Sequence, residues 1–448
     1  MGAWEICKVF LRDIDPNHAG ALLLAGSLHW QAREYAEAYA FAKRAVDVGP
    51  QYSGAWLNLG CISEAIYRFE EADHCYRKAL RKSENDGKRM LVLNNWAAML
   101  IQKGDWTGGE ELARQALQID PLHKKARANL GTALLAKGQW KEGWPLYDEI
   151  IGHGDQRKQN QYSGEPVWDG SPGKTVVIYG EQGMGDEISF ASMLPDAIRD
   201  CKRVIVDCDE RLAGLFRRSF PAATVYGTRW KKELHWRKED QQIDASISIG
   251  ALGKFYRPTP ESCPGTPWLL PDPDRLAMWK GLWATKQKPV IGIAWTGGLH
   301  WTGAKFRNWT LDKLLPVFRA VDAHWVCLQY KDAEREIAEF VDKHGVDLKQ
   351  YKWGTLTNDY DDTAALVASL DHVVCMQTAV VHLSGALGIP CHAFVHKHGQ
   401  WRYGVNGDRI PWYGSVRLFR QKQNGYWPID EAASALNAHF GTVQAAAD

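Results

Sequence analysis

The 448-residue sequence lacks a sustained apolar stretch and an excess of charge of either sign. No run of about 18 apolar residues occurs, so we expect no transmembrane helix. The opening segment, MGAWEICKVFLRDID, lacks the basic stretch and apolar run of a secretory signal, and we expect a cytoplasmic protein. Lys and Arg number 54 against 53 Asp and Glu, so the composition gives no reason to expect a nucleic-acid or anionic-membrane partner.

Cysteine is present without the spacing that disulfides or zinc sites use. The nine cysteines are scattered, their number is odd, and no CxxC pair occurs. This is typical of free thiols in a reducing compartment. Cys391, His392, His396 and His398 are the residue types that bind metals, but they span a predicted strand and its exit. We therefore predict no metal site.

A repeat of about 34 residues occupies the first 150 positions. Pro16 and Pro50 lie 34 residues apart, each after a helical stretch, and IDP recurs at 119–121. Small residues recur where two helices would cross, and large residues lie beside them. The matching positions are Leu22, Ala25, Gly26, Ala38 and Ala45; Trp56, Leu59, Gly60, Ala72, Tyr76 and Ala79; Leu93, Trp96, Ala97, Leu100, Ala113 and Ala116; and Leu130, Gly131, Leu134, Gly143 and Tyr147.

This pattern resembles tetratricopeptide repeats over residues 1–150, with an insertion of three residues near Glu84–Gly87. Such units bury their apolar faces by stacking on one another. Two uses remain open. The repeats either cap or dimerise the domain that follows, or form a groove that binds a peptide or partner protein.

The composition changes after the repeats. Residues 151–173 are rich in Gly, Pro and polar residues and are predicted to be a linker, with Trp168 as an anchor onto the next domain. Short β-rich runs then alternate with amphipathic helical stretches, which predicts parallel sheets. A Pro-rich break divides these runs into two sets. We therefore predict two Rossmann-like lobes, at 174–273 and 274–448, that face a cleft.

The first lobe opens with a strand, a glycine-rich turn and a helix, TVVIYGEQGMGDEISF. In open α/β sheets the ligand lies beyond the carboxyl ends of the strands, which selects this turn. Asp186 follows the turn near the start of the helix, where an aspartate is at least as often a helix cap as a catalytic group. The pattern GxGxxG is not matched, which argues against a nicotinamide-dependent dehydrogenase.

The second lobe opens with GIAWTGGLHWTGAKFRNWTL, in which glycines again crowd the end of a strand. Lys305 and Arg307 follow shortly after. A cation near a glycine-rich turn suits a diphosphate. The alternative is an ordinary solvated loop.

A further strand and helix of the second lobe are encoded by VVCMQTAVVHLSGALGIP. Gln377 and Thr378 lie where the backbone amides at a helix start are free, which makes an anion site. His382 lies one turn later on the same helix face as Thr378. A lone helical histidine is usually a satisfied structural residue, and that reading stays open here.

Taken in order, several motifs resemble the family-nine glycosyltransferases, the heptosyltransferase-like enzymes, in a branch with N-terminal tetratricopeptide repeats. They are EQGMGDEISFASMLP, WTGG with the following RNW, QTAVVHLSGALGIP, QWRYG and PWYGSVRLFRQ. The resemblance runs from about Lys137 to Gln421. It implies a GT-B fold and an inverting transfer from a nucleotide-diphosphate-sugar donor, without a metal or other cofactor.

The resemblance also implies roles for individual residues. The G-D dipeptide of the family matches Gly185 and Asp186, which makes Asp186 the candidate general base. Arg307 matches the cation that holds the donor phosphates. The motif D-T-(A/G)-x-x-H of the family matches Thr378, Ala379 and His382, which places these three residues on the diphosphate side. The residues assigned to the donor are Trp295, Gly297, Arg307, Gln377, Thr378, Ala379 and His382, and those assigned to the acceptor side and its turn are Glu181, Gln182, Gly183 and Gly185.

Two positions depart from the family pattern. Gln377 replaces an aspartate that is expected to touch the donor sugar, and HKHGQ before Trp401 replaces a segment with proline and aspartate. Three functions therefore stay open: a glycosyltransferase, an inactive scaffold with the same fold, and a protein O-glycosyltransferase. The expected partners are a nucleotide-sugar donor, a glycan, lipid-linked or protein acceptor, and a peptide or protein on the repeats.

Overall fold

The computed structural model describes residues 2–152, 157–160, 162, 164–238, 242–298 and 303–447. The chain divides into two compact units, Met1–Ile150 and Ile151–Asp448.

The described part of the first unit is helical. Its α-helices are α1 Ala3–Asp13, α2 Ala19–Gln31, α3 Tyr35–Val48, α4 Ser53–Ala65, α5 Phe69–Arg81, α6 Asp86–Lys103, α7 Trp106–Ile119, α8 Lys124–Ala136 and α9 Trp140–Tyr147. From α2 onward the helices pack in successive pairs, α2 with α3, α4 with α5, α6 with α7 and α8 with α9. This confirms the predicted helical repeats.

Small residues allow the two helices of each pair to approach closely. Ala38 and Ala42 of α3 are fully buried, and a side chain at Gly26 of α2 would meet their backbone at 3.4 Å. In the next pair, Gly60 of α4 lies against the ring of Tyr76 of α5. The predicted insertion lies at the start of α6, which has 18 residues where α4 has 13.

The second unit contains two sheets, and the first has the order β3-β2-β1-β4 with all strands parallel. Its strands are β1 Thr175–Tyr179, β2 Arg203–Asp207, β3 Thr224–Tyr226 and β4 Ala245–Ser248. The first of them, β1, is the strand TVVIY with which the first lobe was predicted to open.

The segment predicted to be a linker packs on the first lobe where it is described. Arg157 is 2% exposed and pairs with Glu181. Val167 bridges to Ser246 beside β4, and Trp168 is 1% exposed with its ring against Phe255. The described part of this segment thus packs on the first lobe, with Trp168 in the position of the expected anchor, because Gly and Pro exclude regular secondary structure without excluding packing.

The second sheet has the order β10-β11-β9-β8-β5-β6-β7 and is parallel except for the β10–β11 pair. Its strands are β5 Val290–Ala294, β6 His324–Cys327, β7 Leu348–Gln350, β8 His372–Met376, β9 Cys391–Val395, β10 Arg409–Ile410 and β11 Tyr413–Arg420. Strands β7, β10 and β11 were not predicted from the sequence. The first two are too short to show a pattern, at three and two residues.

Helices connect the strands of both sheets. They are α10 Met184–Phe190, α11 Leu194–Asp200, α12 Ala213–Ser219, α13 Gly253–Tyr256, α14 Pro273–Trp283, α15 Leu315–Ala320, α16 Glu334–His344, α17 Lys352–Thr355, α18 Tyr360–Ala368, α19 Ala379–Leu387 and α20 Ile429–Ala447. Helical repeats followed by two parallel α/β lobes are the fold class predicted from the sequence. Within the described ranges, no helix combines the length and the apolar character that crossing a membrane requires.

The close approach of α8 and α9 gives a test of the repeat packing. A side chain at Gly131 would collide with the backbone at Tyr147 and Gly143, and neither can move without separating the helices. We expect Gly131→Ala to destabilise the first unit by about 1–3 kcal/mol or more, measured by chemical denaturation of the full chain.

The matched control is Gly54→Ala in α4, where the nearest neighbour of the new methyl group is Leu23 at 3.7 Å. Alanine favours helix, so this change should be neutral or stabilise by up to ~1 kcal/mol. Equal effects of the two substitutions would contradict the packing described.

Candidate functional site

The strand order of each sheet fixes where a ligand would bind. In the first sheet β1 lies between β2 and β4, and in the second β5 lies between β8 and β6. At such points the connections leave in opposite directions and open a crevice beyond the carboxyl ends of the strands. The turns in question follow Tyr179, Ala294 and Met376. The sequence pattern selects these three turns and a fourth, after the predicted strand that ends at Tyr330.

The two lobes meet at the first turns of α10 and α19. A side chain at Gly185 would lie 2.9 Å from the His382 ring and 3.4 Å from the Cα atom of Ala379. Gly185 is therefore required for the close approach of these helices. Because α10 follows β1 and α19 follows β8, the contact joins the ligand-binding edges of both sheets.

Asp186 lies at this seam, in the first turn of α10. One carboxylate oxygen accepts a hydrogen bond from the backbone N–H of Gly183 at 3.1 Å, which caps the helix. The other is paired with the guanidinium of Arg402 in the second lobe. The Asp186 side chain is 19% exposed and that of Arg402 6%. The predicted general base is thus also a cap and an ion-pair partner.

His382 is buried in the seam with partners on both ring nitrogens. Its Nδ1 lies 2.8 Å from the Ser189 hydroxyl and 3.0 Å from the Tyr413 hydroxyl, and its Nε2 lies 3.3 Å from the Tyr403 hydroxyl. Burial, with a smaller effect from Arg402, lowers the pKa of His382 to about 3. The imidazole is therefore neutral at pH 7. This geometry favours the structural reading of His382 over direct contact with a diphosphate.

The structure brings together four of the residues assigned to the donor. Gly297 lies against the methyl group of Thr378, so a side chain at 297 has no room. Thr378 caps α19 through its hydroxyl, which accepts from Val380 N–H at 3.3 Å. Arg307, 7% exposed, donates to the backbone carbonyl of Gln377 at 3.2 Å. A cation and a helix N-terminus thus lie together at the end of β8.

The side chain of Gln377 points into the protein. Its Oε1 accepts a hydrogen bond from the backbone N–H of His396 at 2.9 Å, and the residue is 6% exposed. The expected contact of this side chain with a donor sugar is not what the described geometry favours. Instead, the amide ties the end of β8 to the loop that follows β9.

Two other assigned residues are buried in contacts within the protein, which corrects the sequence analysis, whereas Gln182 lies in the turn to which it was assigned. Trp295 is 0% exposed, and its indole donates to Glu336 at 3.0 Å, so it cannot stack on a ligand. Glu181 is 1% exposed in an ion pair with Arg157, which removes it from an acceptor site. Gln182 contributes its backbone carbonyl to Arg229.

Buried charged residues of the first lobe hold the glycine-rich turn in place. Glu187 of α10 is paired with Arg229 and accepts from the Asp209 backbone N–H at 3.0 Å. Burial raises the pKa of Glu187 to about 8, against the opposing effect of Arg229. Gly180 leaves the space that the Glu187 carboxylate occupies. The turn that carries Asp186 is therefore held in place by its own helix.

The sequence analysis missed four residues that complete the seam: Ser189, Arg402, Tyr403 and Tyr413. Three of them lie inside the motifs QWRYG and PWYGSVRLFRQ, which were used for the family resemblance without a role. The sequence feature that could have revealed Arg402 is its position between two aromatic residues in QWRYG. Nothing in the sequence around Ser189 indicated a contact with the second lobe.

The first lobe also contains an open cavity of about 680 Å³ at the carboxyl ends of β2 and β3. It is lined by Gly152, Lys158, Gln159, Asn160, Tyr162, Asp207, Thr228, Trp230, Lys231, Lys232 and Leu234. Asp207 is engaged at its floor, accepting from the hydroxyls of Tyr162 and Thr228 at 2.7 Å each. Lysines and an exposed tryptophan form much of the wall.

The residues considered for a metal do not converge on one point. The Cys391 sulfur lies 3.8 Å from that of Cys375, His392 packs on the rings of His372 and Phe419, and His396 packs on Phe306. In the described part of the chain, no three His, Cys, Asp or Glu side chains are arranged to hold a metal ion.

Comparison with known proteins places the chain in a family. No family model matches it. Protein FlbA of Caulobacter vibrioides is 30% identical over 85% of this chain and 72% of FlbA. The chain belongs to the FlbA family. A tetratricopeptide repeat-containing protein of Caenorhabditis elegans, trd-1, is 22% identical over 137 residues, which are 31% of this chain and 17% of trd-1.

Solved structures resemble this FlbA-family chain weakly. A family 9 glycosyl transferase of Veillonella parvula is 10% identical, covers 62% of the chain and 100% of its own, and has a TM-score of 0.46. An O-GlcNAc transferase of Thermobaculum terrenum is 14% identical, covers 95% of the chain and 91% of its own, and has a TM-score of 0.35. At these values neither likeness decides the activity of the FlbA-family chain.

The neutral state of His382 predicts a pH dependence of stability. The unfolded chain takes up the imidazole proton near pH 6.5, whereas the folded protein does so only near 3. The free energy of unfolding should therefore fall as the pH drops below 6.5, by up to ~1.4 kcal/mol per pH unit from this residue. In His382→Gln, denaturant unfolding between pH 6.5 and 5 should show a smaller loss of stability.

His235→Gln is the control, because the His235 side chain is 82% exposed. This change should leave the pH dependence as in the wild type. An unchanged slope in His382→Gln would show that His382 is charged in the folded protein.

Proposed function

We propose that this chain is a glycosyltransferase that moves a sugar from a nucleotide-diphosphate-sugar to an acceptor hydroxyl, without a metal and with inversion at the anomeric carbon. The observation that carries the proposal is the seam itself. There Gly185, which precedes Asp186 in the first turn of α10, lies against Ala379 at the helix start of the second lobe. Arg307 lies behind that helix start.

The donor side supplies positive charge where a diphosphate would leave. Arg307 brings a guanidinium to the end of β8, and the first turn of α19 brings the positive end of a helix dipole. These groups stabilise negative charge as the bond between the anomeric carbon and the diphosphate breaks. They take the part that a divalent cation plays in other transferases.

The acceptor side supplies the base. The acceptor oxygen attacks the anomeric carbon while Asp186 takes the hydroxyl proton, which is general-base catalysis. The new carbon–oxygen bond forms on the face opposite the leaving diphosphate, so the configuration inverts. The cavity with Trp230 and Lys231 gives the first lobe room for part of the acceptor, a glycan, a lipid-linked sugar or a protein segment.

A second function, a scaffold without activity, is favoured by one feature of the seam. The carboxylate of Asp186 and both nitrogens of His382 already have partners within the protein. In this reading the seam only joins the lobes, and the repeats bind a protein partner. Formation of product from any nucleotide-sugar excludes it.

Nucleotide binding is the first test. Saturating nucleoside diphosphates, screened one by one, should raise the melting temperature for at least one base, because a ligand that binds only the folded state stabilises it. The rise should be the same with and without EDTA. Arg307→Ala should reduce it, whereas Arg335→Ala should not, since Arg335 is a surface residue with a side chain 93% exposed. No shift with any common nucleoside diphosphate rejects the proposal.

The catalytic test is Asp186→Asn. Asparagine keeps the size and can still cap α10, but it cannot accept the proton of the acceptor. We expect turnover to fall about a hundred- to ten-thousand-fold, with little change in donor binding. Initial rates with a nucleotide-sugar identified by the binding screen provide the measurement.

Asp272→Asn is the matched control for this substitution. Asp272 also caps a helix of the same unit, accepting from Arg275 N–H at 3.0 Å, and lies at the start of α14. Its variant should turn over like the wild type. Near-normal turnover in Asp186→Asn would reduce Asp186 to a helix cap.

A further inference from the structure

Arg402 is the one arginine described at the seam that reaches from the second lobe to the predicted base. It belongs to a short 3-10 turn, Trp401–Tyr403, that follows β9. Its guanidinium pairs with Asp186 and donates to Gln400 Oε1 at 3.0 Å. The rings of Phe190 and Trp401 lie 5.8 and 5.4 Å from it. The charge is thus enclosed, with the side chain 6% exposed.

Because the Arg402 guanidinium is enclosed by protein groups, it is poorly placed to bind the donor directly. Phe190 belongs to α10, so the guanidinium is packed against the same helix that carries Asp186. Arg307, by contrast, lies at the end of β8 with Gln377. Arg402 and Arg307 therefore contact different parts of the protein, α10 of the first lobe and the end of β8.

Neighbouring contacts fix α10 at the same place. The Ser189 hydroxyl meets His382 at 2.8 Å and Tyr413 at 2.9 Å, and Trp268 donates to the Ile188 carbonyl at 3.1 Å. The partners in these contacts are neutral groups. The Asp186–Arg402 pair supplies the charge at the catalytic end of the helix, and it exists only while the lobes are together.

We propose that Arg402 is a positioning residue for the transfer reaction, which holds the Asp186 carboxylate in place when the two lobes close. This rests on the proposed function. Because the arginine comes from the donor-binding lobe, the base is set in place only when both lobes are engaged. Arg402 touches neither substrate and acts through Asp186.

Double-mutant cycles test this on the full chain. The variants are Arg402→Gln, Arg402→Lys, Asp186→Asn and the double variant Arg402→Gln/Asp186→Asn. The melting temperature reports whether the pair exists, independently of activity. We expect the double variant to lose less than the sum of the two single losses. A matched exposed pair, Arg417 and Asp408, with side chains 48% and 55% exposed, should show additive and small losses in Arg417→Gln/Asp408→Asn.

Kinetics with a nucleotide-sugar then separate positioning from folding. Arg402→Gln should lower kcat at least about tenfold with donor KM within about twofold, and Arg402→Lys should recover part of kcat. In the Asp186→Asn background, Arg402→Gln should have little further effect, since the two residues act as a unit.

The outcomes are distinct. An active wild type with unchanged kcat in Arg402→Gln, or additive losses of kcat in the double variant, overturns the role of Arg402 and leaves the proposed function standing. A wild type that transfers sugar from no nucleotide-sugar overturns both. Additive losses in melting temperature show that the pair does not form, and they also reject the inference.

Discussion

The closest approach of the two lobes at the candidate site is made at a residue without a side chain. Gly185 lets the first turn of α10 lie against Ala379 and His382 of α19, and a methyl group there would meet the imidazole at 2.9 Å. The other seam contacts follow from this distance. At this separation Ser189 reaches His382 and Tyr413, and Asp186 reaches Arg402.

Helix α10 depends on these contacts for its position. It has seven residues, too few to be stable by itself, so tertiary contacts determine where it lies. Glu187 anchors it to Arg229 in its own lobe, and Ser189 anchors it to the other lobe. The orientation of Asp186 is therefore a property of both lobes. The carboxylate thus depends on contacts from both lobes for its place in the structure.

The environment of the seam determines which of its groups carry a charge. His382 stays neutral because its burial outweighs the favourable energy of protonation. The hydroxyls of Tyr403 and Tyr413 are also held uncharged, since burial raises the pKa of both. Arg402 already has a carboxylate partner. The Arg307 guanidinium, which donates to the Gln377 carbonyl, is the charged side chain among the residues assigned to the donor.

The sequence predicted the parts of this site that depend on local pattern. Strands β1, β5 and β8, the glycine turns and the start of α19 each follow from residues adjacent in the chain. The seam does not, because Ser189 and His382 are 193 positions apart and Ser189 and Tyr413 are 224 apart. The assignment of Trp295 to the donor was wrong for a related reason. Both faces of β5 are buried, so its pattern did not show that Trp295 packs into the core.

The two departures from the family-nine pattern turn out to be in contact. Gln377 accepts a hydrogen bond from the backbone of His396, the first residue of the HKHGQ segment that replaces the usual sequence. A change at one position therefore alters what the other requires. The segment ends at Gln400, which accepts from Arg402, and Arg402 in turn pairs with Asp186 of the first lobe. The two departures thus belong to one connected set of contacts, which runs from the end of β8 through the loop after β9 to Arg402 and Asp186. The substitution of Gln377 and that of the HKHGQ segment are therefore structurally coupled, and each supports the position of the ion pair that joins the two lobes.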